Sequence, residues 1–318
     1  MNKNFPLVCI NIPTFNNENT IKQTLYSILN QTYKKIKIII IDNGSTDNTL
    51  AKIKEINSKK ISIIINKNKK GMYNLAKAYE SKHNYLCVYH SDDIYNKTIV
   101  QEQIKYLEKN KNTVLVSTKA KIIDEVNNVI GKTNKNLKKF LFVNQYELLK
   151  IILKEYNIIN CPSVMINNKL FKSKNKIKWN IKKYSNSADL DFYLQLLEVG
   201  KIKVLDKYLC SIRITKNQIT NTERIKTTKS DFLKVIENYL KKKEIKNRLD
   251  VKDKKNFEIL KYRDQIRIII NHYKKKELNI LRIKIKKINF LKFIKLFSIS
   301  KRYFYTLFFI FYFKIKLI

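Results

Sequence analysis

The stretch that organises this chain is Tyr85-Leu86-Cys87-Val88-Tyr89-His90-Ser91-Asp92-Asp93. Its apolar first half predicts a short buried β-strand, and two adjacent carboxylates follow where the chain leaves that strand. Ligands of open α/β sheets bind beyond the carboxyl ends of the strands, so this acidic pair would face a ligand site. Two neighbouring acids repel each other, and a bound cation relieves that repulsion. The pattern therefore predicts a cation site at Asp92 and Asp93.

Hard divalent cations fit this acidic pair best. Mg²⁺ and Mn²⁺ prefer oxygen ligands, and no cluster of Cys and His that would favour zinc lies nearby in the sequence. A purely structural interpretation is also open, because acids are favoured at helix starts and a helical pattern follows from Thr98. Neighbouring motifs are needed to decide between the two.

The composition indicates an anionic partner without locating it. The 318 residues include 66 basic and 26 acidic side chains, which gives a formal charge of +40. A chain with this charge balance is expected to bind nucleic acid, an anionic membrane surface or phosphorylated substrates. The basic residues are spread over the whole chain, so they define no single contact surface.

The first 110 residues alternate four times between strand and helix. Apolar and β-branched runs predict strands at 7–12, 36–41, 61–65 and 85–89. This order predicts a mostly parallel central sheet with helices on both faces. The loops that follow the strands carry Thr14, Asp42 and the acidic pair, so these side chains should converge on one edge of the sheet. A nucleotide would bind at that edge.

The middle of the chain predicts further elements. They are a strand at 114–117, a hairpin at 122–130, a helix at 146–155, an extended segment at 161–166, a helix at 187–199, and two short strands at 202–205 and 209–214. Gly200 suits the end of the second helix, because glycine is favoured just after a helix.

From about Thr220 the chain becomes lysine-rich and helical in pattern. Residues 278–318 contain ten basic side chains and no acidic one, and Tyr303 to Phe313 form an apolar and aromatic run of 11 residues. That run is too short to cross a bilayer, which needs about 20 apolar residues. A basic aromatic helix lying on an anionic membrane surface fits the pattern better. Packing against the catalytic domain or a partner chain is the alternative.

Several segments together resemble glycosyltransferase family 2, whose members are inverting enzymes. The resemblance lies in Ile12-Pro13-Thr14-Phe15-Asn16, Ser27 to Tyr33, Ile39 to Thr49, Lys70-Gly71, Ser91-Asp92-Asp93 and Ala188-Asp189-Leu190-Asp191. It covers about residues 5–215 and rests on the order and spacing of these pieces. It implies a GT-A (Rossmann-like) α/β fold, with a mostly parallel central sheet flanked by helices and a helical, basic C-terminal extension.

The resemblance implies transfer of a sugar from a nucleoside-diphosphate sugar, with UDP-sugars favoured, to an acceptor hydroxyl. Asp93 would ligate Mn²⁺ or Mg²⁺, which stabilises the charge of the leaving diphosphate. Asp92 would contact the ribose or hold the surroundings of the cation in place. Asp189 would be the catalytic base that takes the proton from the acceptor hydroxyl. Helix capping is the structural alternative for Asp189.

The resemblance also implies residues that bind the nucleotide. They are Asp42 at the base, Pro13 and Thr14 lining the same pocket, Asn43 where relatives often carry a second acid, Lys70 in the next family element, and Arg213 at the diphosphate. A solvated basic loop is the alternative for Arg213.

Three further positions, besides Asn43, depart from the family pattern. His90 stands where many relatives have an acid, and it is open whether it is a strand-end residue, a diphosphate contact or a ligand of the cation. Ala188 replaces the acid that usually precedes the base. Thr215 replaces a histidine, which implies that one protein ligand of the cation is missing.

The expected organisation is a catalytic domain at 1–219 and an extension at 220–318. The first domain would divide into a nucleotide-sugar half, 1–118, and an acceptor half, 119–219. Four scattered cysteines, together with a start that predicts no signal sequence, indicate a cytosolic protein with reduced thiols. The expected setting is the inner face of a bacterial cell membrane, where a glycan or lipid-linked acceptor would be extended.

Two rival functions remain at this point. A strongly basic chain with interspersed aromatics could bind nucleic acid or other polyanions, but no nucleic-acid-binding motif is present, so we expect no specific nucleic acid partner. A family-2 fold without activity could serve as a partner subunit, which the substitutions at Asn43, Ala188 and Thr215 would favour. The retained acids Asp93 and Asp189 argue for an enzyme.

Overall fold

The computed structural model of the chain describes residues 6–66, 72–170, 177–215 and 224–277, together with residues 279, 280, 283 and 284. Two compact units divide the chain into residues 1–216 and 217–318. The first unit contains a large mixed sheet. The second unit is helical over its described residues.

Four parallel strands form the N-terminal half of the sheet. They are β1 (Val8–Thr14), β2 (Ile36–Asp42), β3 (Ile61–Ile65) and β4 (Tyr85–Val88). In space they lie in the order β3-β2-β1-β4. Their apolar, β-branched sequences suit a sheet covered on both faces, and β4 is buried at all four positions. The predicted alternation of strand and helix is confirmed.

Helices connect these strands and cover their apolar side chains. They are α1 (Ile21–Leu29), α2 (Thr49–Lys54), α3 (Met72–Ala78) and, after β4, α4 (Ile99–Lys109). Helix α1 buries Ile21, Leu25 and Ile28 at helical spacing, in one cluster with Val8 and Ile10 of β1. Each such side chain contributes about 1.5–3 kcal/mol when it is fully buried. This packing holds the loops at the strand ends in fixed positions.

The rest of the sheet is mixed. Its strands are β5 (Ile94–Tyr95), β6 (Thr113–Ile123), β7 (Val129–Lys132), β8 (Leu141–Phe142), β9 (Val164–Asn167) and β10 (Lys201–Arg213). Over the described residues the sheet has ten strands; β9 runs antiparallel between β4 and β6, and β10 pairs parallel with β6. The helices of this part are α5 (Gln145–Glu155), α6 (Ile181–Tyr184) and α7 (Ala188–Leu196). The predicted hairpin is confirmed by the antiparallel pairing of β6 with β7.

The prediction of two short strands at 202–205 and 209–214 is wrong, because one strand, β10, runs from Lys201 to Arg213. Its register against β6 shifts between Leu205 and Tyr208 and again before Cys210. The polar residues inside the shift look like a turn in the sequence, whereas they form an irregular, bulged part of the strand. Strand β10 therefore continues to Arg213, at the edge where β4 ends.

The second unit contains three helices in its described part, namely α8 (Asp231–Leu240), α9 (Lys243–Lys246) and α10 (Val251–Lys274). Asp250 and Asp253 form a reciprocal capping box at the start of α10. This agrees with the predicted helical extension.

The membrane-surface prediction rests on 278–318, and residues 278, 281, 282 and 285–318 lie outside the described residues. Across the ranges that the structure does describe, we find no helix with the length and apolar character that a bilayer crossing requires.

Candidate functional site

The loops after β1 and β2 meet at one edge of the sheet. Thr14 and Asp42 are partners in the register of these two strands, and both are buried. The backbone N–H of Asn43 donates to the carbonyl oxygen of Thr14 at 2.9 Å. Pro13 is half-buried beside Thr14. The structure thus brings these four predicted residues together, whereas Lys70 lies outside the described residues.

The carboxylate of Asp42 is used by its own loop. Its Oδ2 atom accepts hydrogen bonds from the backbone N–H groups of Gly44 and Ser45, both at 2.9 Å, and its Oδ1 accepts from Ser45 Oγ at 2.5 Å. Gly44 has a φ of +77°, a conformation that glycine adopts without strain. Asp42 therefore shapes the loop after β2, and its contact with the base stays a prediction.

Three buried amide atoms at this edge have no hydrogen-bond partner within the described part of the chain. They are Asn43 Oδ1, Asn66 Nδ2 and Asn74 Oδ1. The orientation of Asn74 is fixed, because its Nδ2 donates to the carbonyl oxygen of Ile41 at 3.2 Å. An unpaired buried polar atom costs about 1–3 kcal/mol, and a ligand with complementary groups would recover that cost. No motif in the sequence points to Asn66 or Asn74.

Hydrogen bonds from α1 hold the acidic loop that follows β4. Thr24 Oγ1 donates to the carbonyl oxygen of Asp93 at 2.8 Å and contacts that of Ser91 at 3.0 Å. Ser91 Oγ donates to Asn17 Oδ1 at 2.8 Å. These bonds fix the backbone of the loop, so that its carboxylates do not depend on a ligand for their position.

His90, Asp92 and Asp93 each offer one possible ligand atom, and these atoms lie within 4.8 Å of one another. Asp93 is only 1% exposed. Its Oδ1 accepts the backbone N–H of Arg213 at 2.8 Å, whereas Oδ2 has no hydrogen-bond partner among the described residues. A half-satisfied, buried carboxylate next to a second acid fits a small divalent cation such as Mn²⁺ or Mg²⁺.

The charge balance at the loop supports a cation as well. Burial raises the pKa of Asp93 well above its usual range, the charge of Asp92 adds to the rise, and Arg213 opposes it. Burial lowers the pKa of His90, and the charge of Asp92 opposes that shift. Ionised Asp93 is therefore costly without a positive partner, and a divalent cation would supply one.

Arg213, which the sequence predicts as a diphosphate contact, lies buried among acceptor groups of the protein. It is 2% exposed, and its guanidinium donates to the carbonyl oxygen of Asp92 at 2.9 Å and to those of Asp124 and Glu125 at 3.1 Å. Its remaining terminal nitrogen donates to Gln23 Oε1 at 2.7 Å. These bonds tie the acidic loop to the β6–β7 turn and α1, and the contact of Arg213 with the diphosphate stays a prediction.

Replacing Arg213 by Met should lower the free energy of unfolding by about 1–3 kcal/mol, because the side chain is buried and its partly buried acceptors lose their charged donor. Urea-induced unfolding followed by circular dichroism measures the loss. Lys207→Met on the same strand is the control, since the exposed Lys207 pairs with the partly exposed Glu102 and the change should cost less than about 1 kcal/mol. A loss of unfolding free energy as small as that of the control would contradict this role of Arg213.

Asp189 lies in the first turn of α7, and the residue at the N-cap position is Ser187. Asp189 is therefore not the N-cap residue, but its carboxylate still contacts the start of the helix, and its role as the base stays a prediction. One carboxylate oxygen, Oδ1, accepts the backbone N–H of Leu190 at 2.8 Å. Burial raises the pKa of Asp189 to about 6. A carboxylate with that pKa is ionised at neutral pH and is a stronger base than an ordinary aspartate.

The pKa of the half-buried Cys161 thiol responds to both acidic parts of the site. Burial raises the pKa of the Cys161 thiol to about 12, and the charges of Asp189 and of Asp93 both add to that rise. Both carboxylates are therefore close enough to the same thiol to act on it electrostatically. Asp191, two residues after Asp189, is turned away, as expected, because its Oδ2 accepts from Asn180 Nδ2 and Gln195 Nε2 at 2.6 and 2.7 Å.

An aromatic cluster lies beside Asp189. The ring centroid of Trp179 is 4.7 Å from that of Tyr79 and 5.1 Å from that of Phe192. Trp179 is half-buried, and its Nε1 is a buried donor without a partner in the described ranges. Tyr79 bonds through its hydroxyl to that of Tyr193 at 3.1 Å. Sequence patterns had indicated no acceptor residues here, since one isolated tryptophan carries no motif.

Comparison with known proteins places this arrangement in a family. The model of glycosyl transferase family 2 matches residues 9–173. An uncharacterized glycosyltransferase of Haemophilus influenzae is 30% identical over 253 residues, which is 76% of each chain. The Escherichia coli UDP-Glc:alpha-D-GlcNAc-diphosphoundecaprenol beta-1,3-glucosyltransferase WfgD is 33% identical over 129 residues, covering 40% of this chain and 50% of that one.

The fold is also similar to that of a solved glycosyltransferase structure. S. aureus TarS 1-349 in complex with UDP-GlcNAc matches with a TM-score of 0.56 and 15% identity, over 90% of this chain and 82% of that one. At this identity the likeness concerns the fold alone, and it agrees with the expected GT-A architecture. The match to the family model and the relative from H. influenzae together show that the chain belongs to glycosyltransferase family 2.

Proposed function

We propose that this chain is an inverting, metal-dependent glycosyltransferase that uses a UDP-sugar and extends a polysaccharide or lipid-linked glycan. The observation that carries the proposal is the acidic cluster after β4. Possible ligand atoms of His90, Asp92 and Asp93 lie within 4.8 Å of one another there, and Asp93 Oδ2 is buried without a partner among the described residues. In a chain of glycosyltransferase family 2, such a cluster suits a cation that holds the diphosphate of the donor.

The donor half of the proposed reaction belongs to the acidic loop. A divalent cation bound there would act as a Lewis acid on the diphosphate. Asp93 would hold it through Oδ2, the buried oxygen that lacks a partner among the described residues. Thr24 and Arg213 would keep the loop in place through the bonds they make to Asp93 and Asp92. Asp92, which is half-buried, would contact the ribose or the surroundings of the cation.

The acceptor half of the reaction belongs to Asp189. Its carboxylate would take the proton of the acceptor hydroxyl while that oxygen forms a bond to the anomeric carbon. The bond between the anomeric carbon and the diphosphate breaks in the same step, and the diphosphate leaves with the electron pair. Attack from the face opposite to the leaving group inverts the anomeric carbon. A positioned base of this kind contributes about 10²–10⁴ in rate.

The choice of UDP rests on relatives and on the neutral edge of the nucleotide pocket. The relative WfgD is named for a UDP-glucose donor. Asn43, Asn66 and Asn74 present amide atoms without partners among the described residues, and amides complement the alternating carbonyl and N–H groups of uracil without a charge. Thr14 and Pro13 would line the same pocket. Lys70 is proposed from the family pattern alone.

The acceptor is proposed to bind beside Trp179. The half-buried indole offers an unpaired N–H and an apolar surface next to Asp189, which suits the hydroxyl groups and the apolar face of a sugar. WfgD acts on a sugar carried by diphosphoundecaprenol. We extend this acceptor class, a sugar on a lipid diphosphate, to the present chain as part of the proposal.

The second unit would bring the enzyme to that acceptor. We assign catalysis to 1–219, with the nucleotide-sugar half at 1–118 and the acceptor half at 119–219, and membrane-surface binding on the cytoplasmic side to 220–318. The basic, aromatic composition of 278–318 supports the assignment. Sedimentation with vesicles of anionic lipids tests it: a chain that ends at residue 277 should stay in the supernatant, and its co-sedimentation would refute the assignment.

The function itself is tested by incubating the chain with UDP-, GDP- and CDP-hexoses in the presence of Mn²⁺. Water can take the place of the acceptor hydroxyl, so slow release of the nucleoside diphosphate reports donor use without a known acceptor. We expect release from at least one UDP-hexose and none from the GDP- and CDP-hexoses. Release from none of them would favour the inactive partner subunit, and release from a GDP- or CDP-hexose would replace UDP in the proposal.

A further inference from the structure

His90 is the residue at the cation site that the reaction, as described so far, does not use. It occupies the position between the buried end of β4 and the acidic loop. Its imidazole Nδ1 lies 3.9 Å from Asp93 Oδ2, which exceeds the range of a hydrogen bond. The other ring nitrogen, Nε2, is buried and has no hydrogen-bond partner among the described residues. The ring therefore approaches the carboxylate without bonding to it.

The distance between these two atoms suits a shared cation. Ligand atoms around an octahedral Mg²⁺ or Mn²⁺ with bonds of about 2.1 Å are about 3.0 Å apart when adjacent and about 4.2 Å apart when opposite. The separation of 3.9 Å falls between these values. The possible ligand atoms of His90, Asp92 and Asp93 all lie within 4.8 Å of one another. Asp93 Oδ2, nine-tenths buried and without a partner in the described ranges, points into this cluster.

Hydrogen bonds hold the backbone of His90, so the fold sets the place from which its side chain extends. Its N–H donates to the hydroxyl oxygen of Tyr95 at 2.7 Å, and that hydroxyl contacts the His90 carbonyl oxygen at 3.3 Å. Tyr95 in turn stacks on Tyr89, with ring centroids 4.0 Å apart and an interplanar angle of 10°. A side chain supported in this way can serve as a preorganised ligand.

We propose that His90 is a nitrogen ligand of the cation, so that the site combines one imidazole with carboxylate oxygens and selects Mn²⁺ over Mg²⁺. The inference rests on the proposed function and deepens it, because it names the metal. Imidazole binds transition metals much better than Mg²⁺, which prefers oxygen donors and keeps its water. An acid at this position would offer only oxygen and would distinguish the two metals less.

The test uses the full-length protein and the metal ion alone, followed by the metal ion with UDP. Pulsed electron paramagnetic resonance of bound Mn²⁺ detects the ¹⁴N nucleus of a directly coordinated imidazole. We expect this coupling in the wild-type protein and its loss in His90→Asp, which still binds Mn²⁺. His83→Asp, which makes the same change in the loop before β4, is the matched control and should keep the coupling.

A second readout is the ratio of the dissociation constants for Mg²⁺ and Mn²⁺, measured by displacing Mn²⁺ with Mg²⁺. His90→Asp should lower this ratio by about 10–100-fold relative to the wild type, whereas His83→Asp should leave it unchanged. Bound Mn²⁺ without ¹⁴N coupling in the wild type would overturn the inference and leave the glycosyltransferase proposal intact; His90 would then be a candidate diphosphate contact. Absence of Mn²⁺ binding, with and without UDP, would overturn the inference and the metal dependence together.

Discussion

Replacing Asp189 by Asn is expected to lower kcat by about 10²–10⁴-fold, while the affinity for UDP in the presence of Mn²⁺ stays unchanged. The amide keeps the shape of the side chain and can still accept the N–H of Leu190, but it cannot take a proton. The loss should therefore appear in kcat, measured as UDP release, and not in nucleotide binding.

The pH dependence gives this prediction a second signature. The base must be ionised to work, and burial raises the pKa of Asp189 to about 6 in the folded protein. In the wild type, kcat should therefore rise with pH through about 6 and level off above it, whereas the residual activity of Asp189→Asn should lack this limb. A nucleotide-bound site can shift the midpoint by its own charge, so the loss of the limb is the decisive observation.

Asp191→Asn is the matched control for Asp189. It lies on the same helix and is also buried, but its carboxylate accepts from Asn180 and Gln195, which an amide oxygen can still partly satisfy. We expect kcat within a few-fold of the wild type and the same dependence on pH. Equal losses in the two variants would mean that Asp189 acts through the structure of α7 and not as the base.

Replacing Asp93 by Asn is expected to lower kcat/KM for a UDP-sugar by about 10²–10⁴-fold. A bound cation stabilises the charge of a leaving diphosphate by several kcal/mol, and each 1.36 kcal/mol corresponds to about a tenfold change in rate. An amide is a weaker, uncharged ligand, and Oδ2 of Asp93 is the buried oxygen left over for the metal. Initial rates of UDP release at sub-saturating donor measure the change.

The stability of Asp93→Asn separates loss of the metal from loss of the fold. An ionised, buried carboxylate with a pKa raised by burial destabilises the folded chain when no cation is present. The variant without metal should therefore be at least as stable as the wild type at neutral pH in thermal unfolding.

Asp47→Asn is the matched control at the same edge of the sheet. The Asp47 carboxylate accepts from the backbone N–H groups of Glu18 and Thr49, and kcat/KM of this variant should stay within a few-fold of the wild type. If kcat/KM of Asp93→Asn fell no further than that of Asp47→Asn, the role of Asp93 as a metal ligand would be contradicted.

The sequence was sufficient to predict the half of the sheet built from β1 to β4. Five of the six residues 36–41 are isoleucine, and the alternation of such runs with helices leaves few topologies open. The positions of Asp42 and Asp93 follow from that topology, since Asp42 ends β2 and Asp93 lies in the loop after β4, a strand of the same parallel group. Strand β10 was missed as one element because its irregular middle is polar and resembles a turn.

The roles of Arg213 and of the amides could not be predicted, because they depend on contacts between distant segments. Arg213 binds carbonyl oxygens of Asp92, Asp124 and Glu125, and a carbonyl leaves no trace in the sequence. Asn74 is a single residue on a helix. It matters because its Nδ2 bonds to the carbonyl oxygen of Ile41, a residue distant in the sequence. The sequence pattern identified these acids, and the structure was needed to show that Asp42 holds its own loop whereas Asp93 keeps one oxygen without a partner among the described residues.

The central claim is that the acidic edge of the sheet binds a nucleoside diphosphate through a divalent cation. Calorimetric titration of UDP into the full-length protein, once with Mn²⁺ and once with EDTA, tests it most directly. We expect binding with Mn²⁺ that is at least about tenfold tighter than with EDTA, which corresponds to about 1.4 kcal/mol or more. Equal affinities under the two conditions, or no binding in either, would contradict the account.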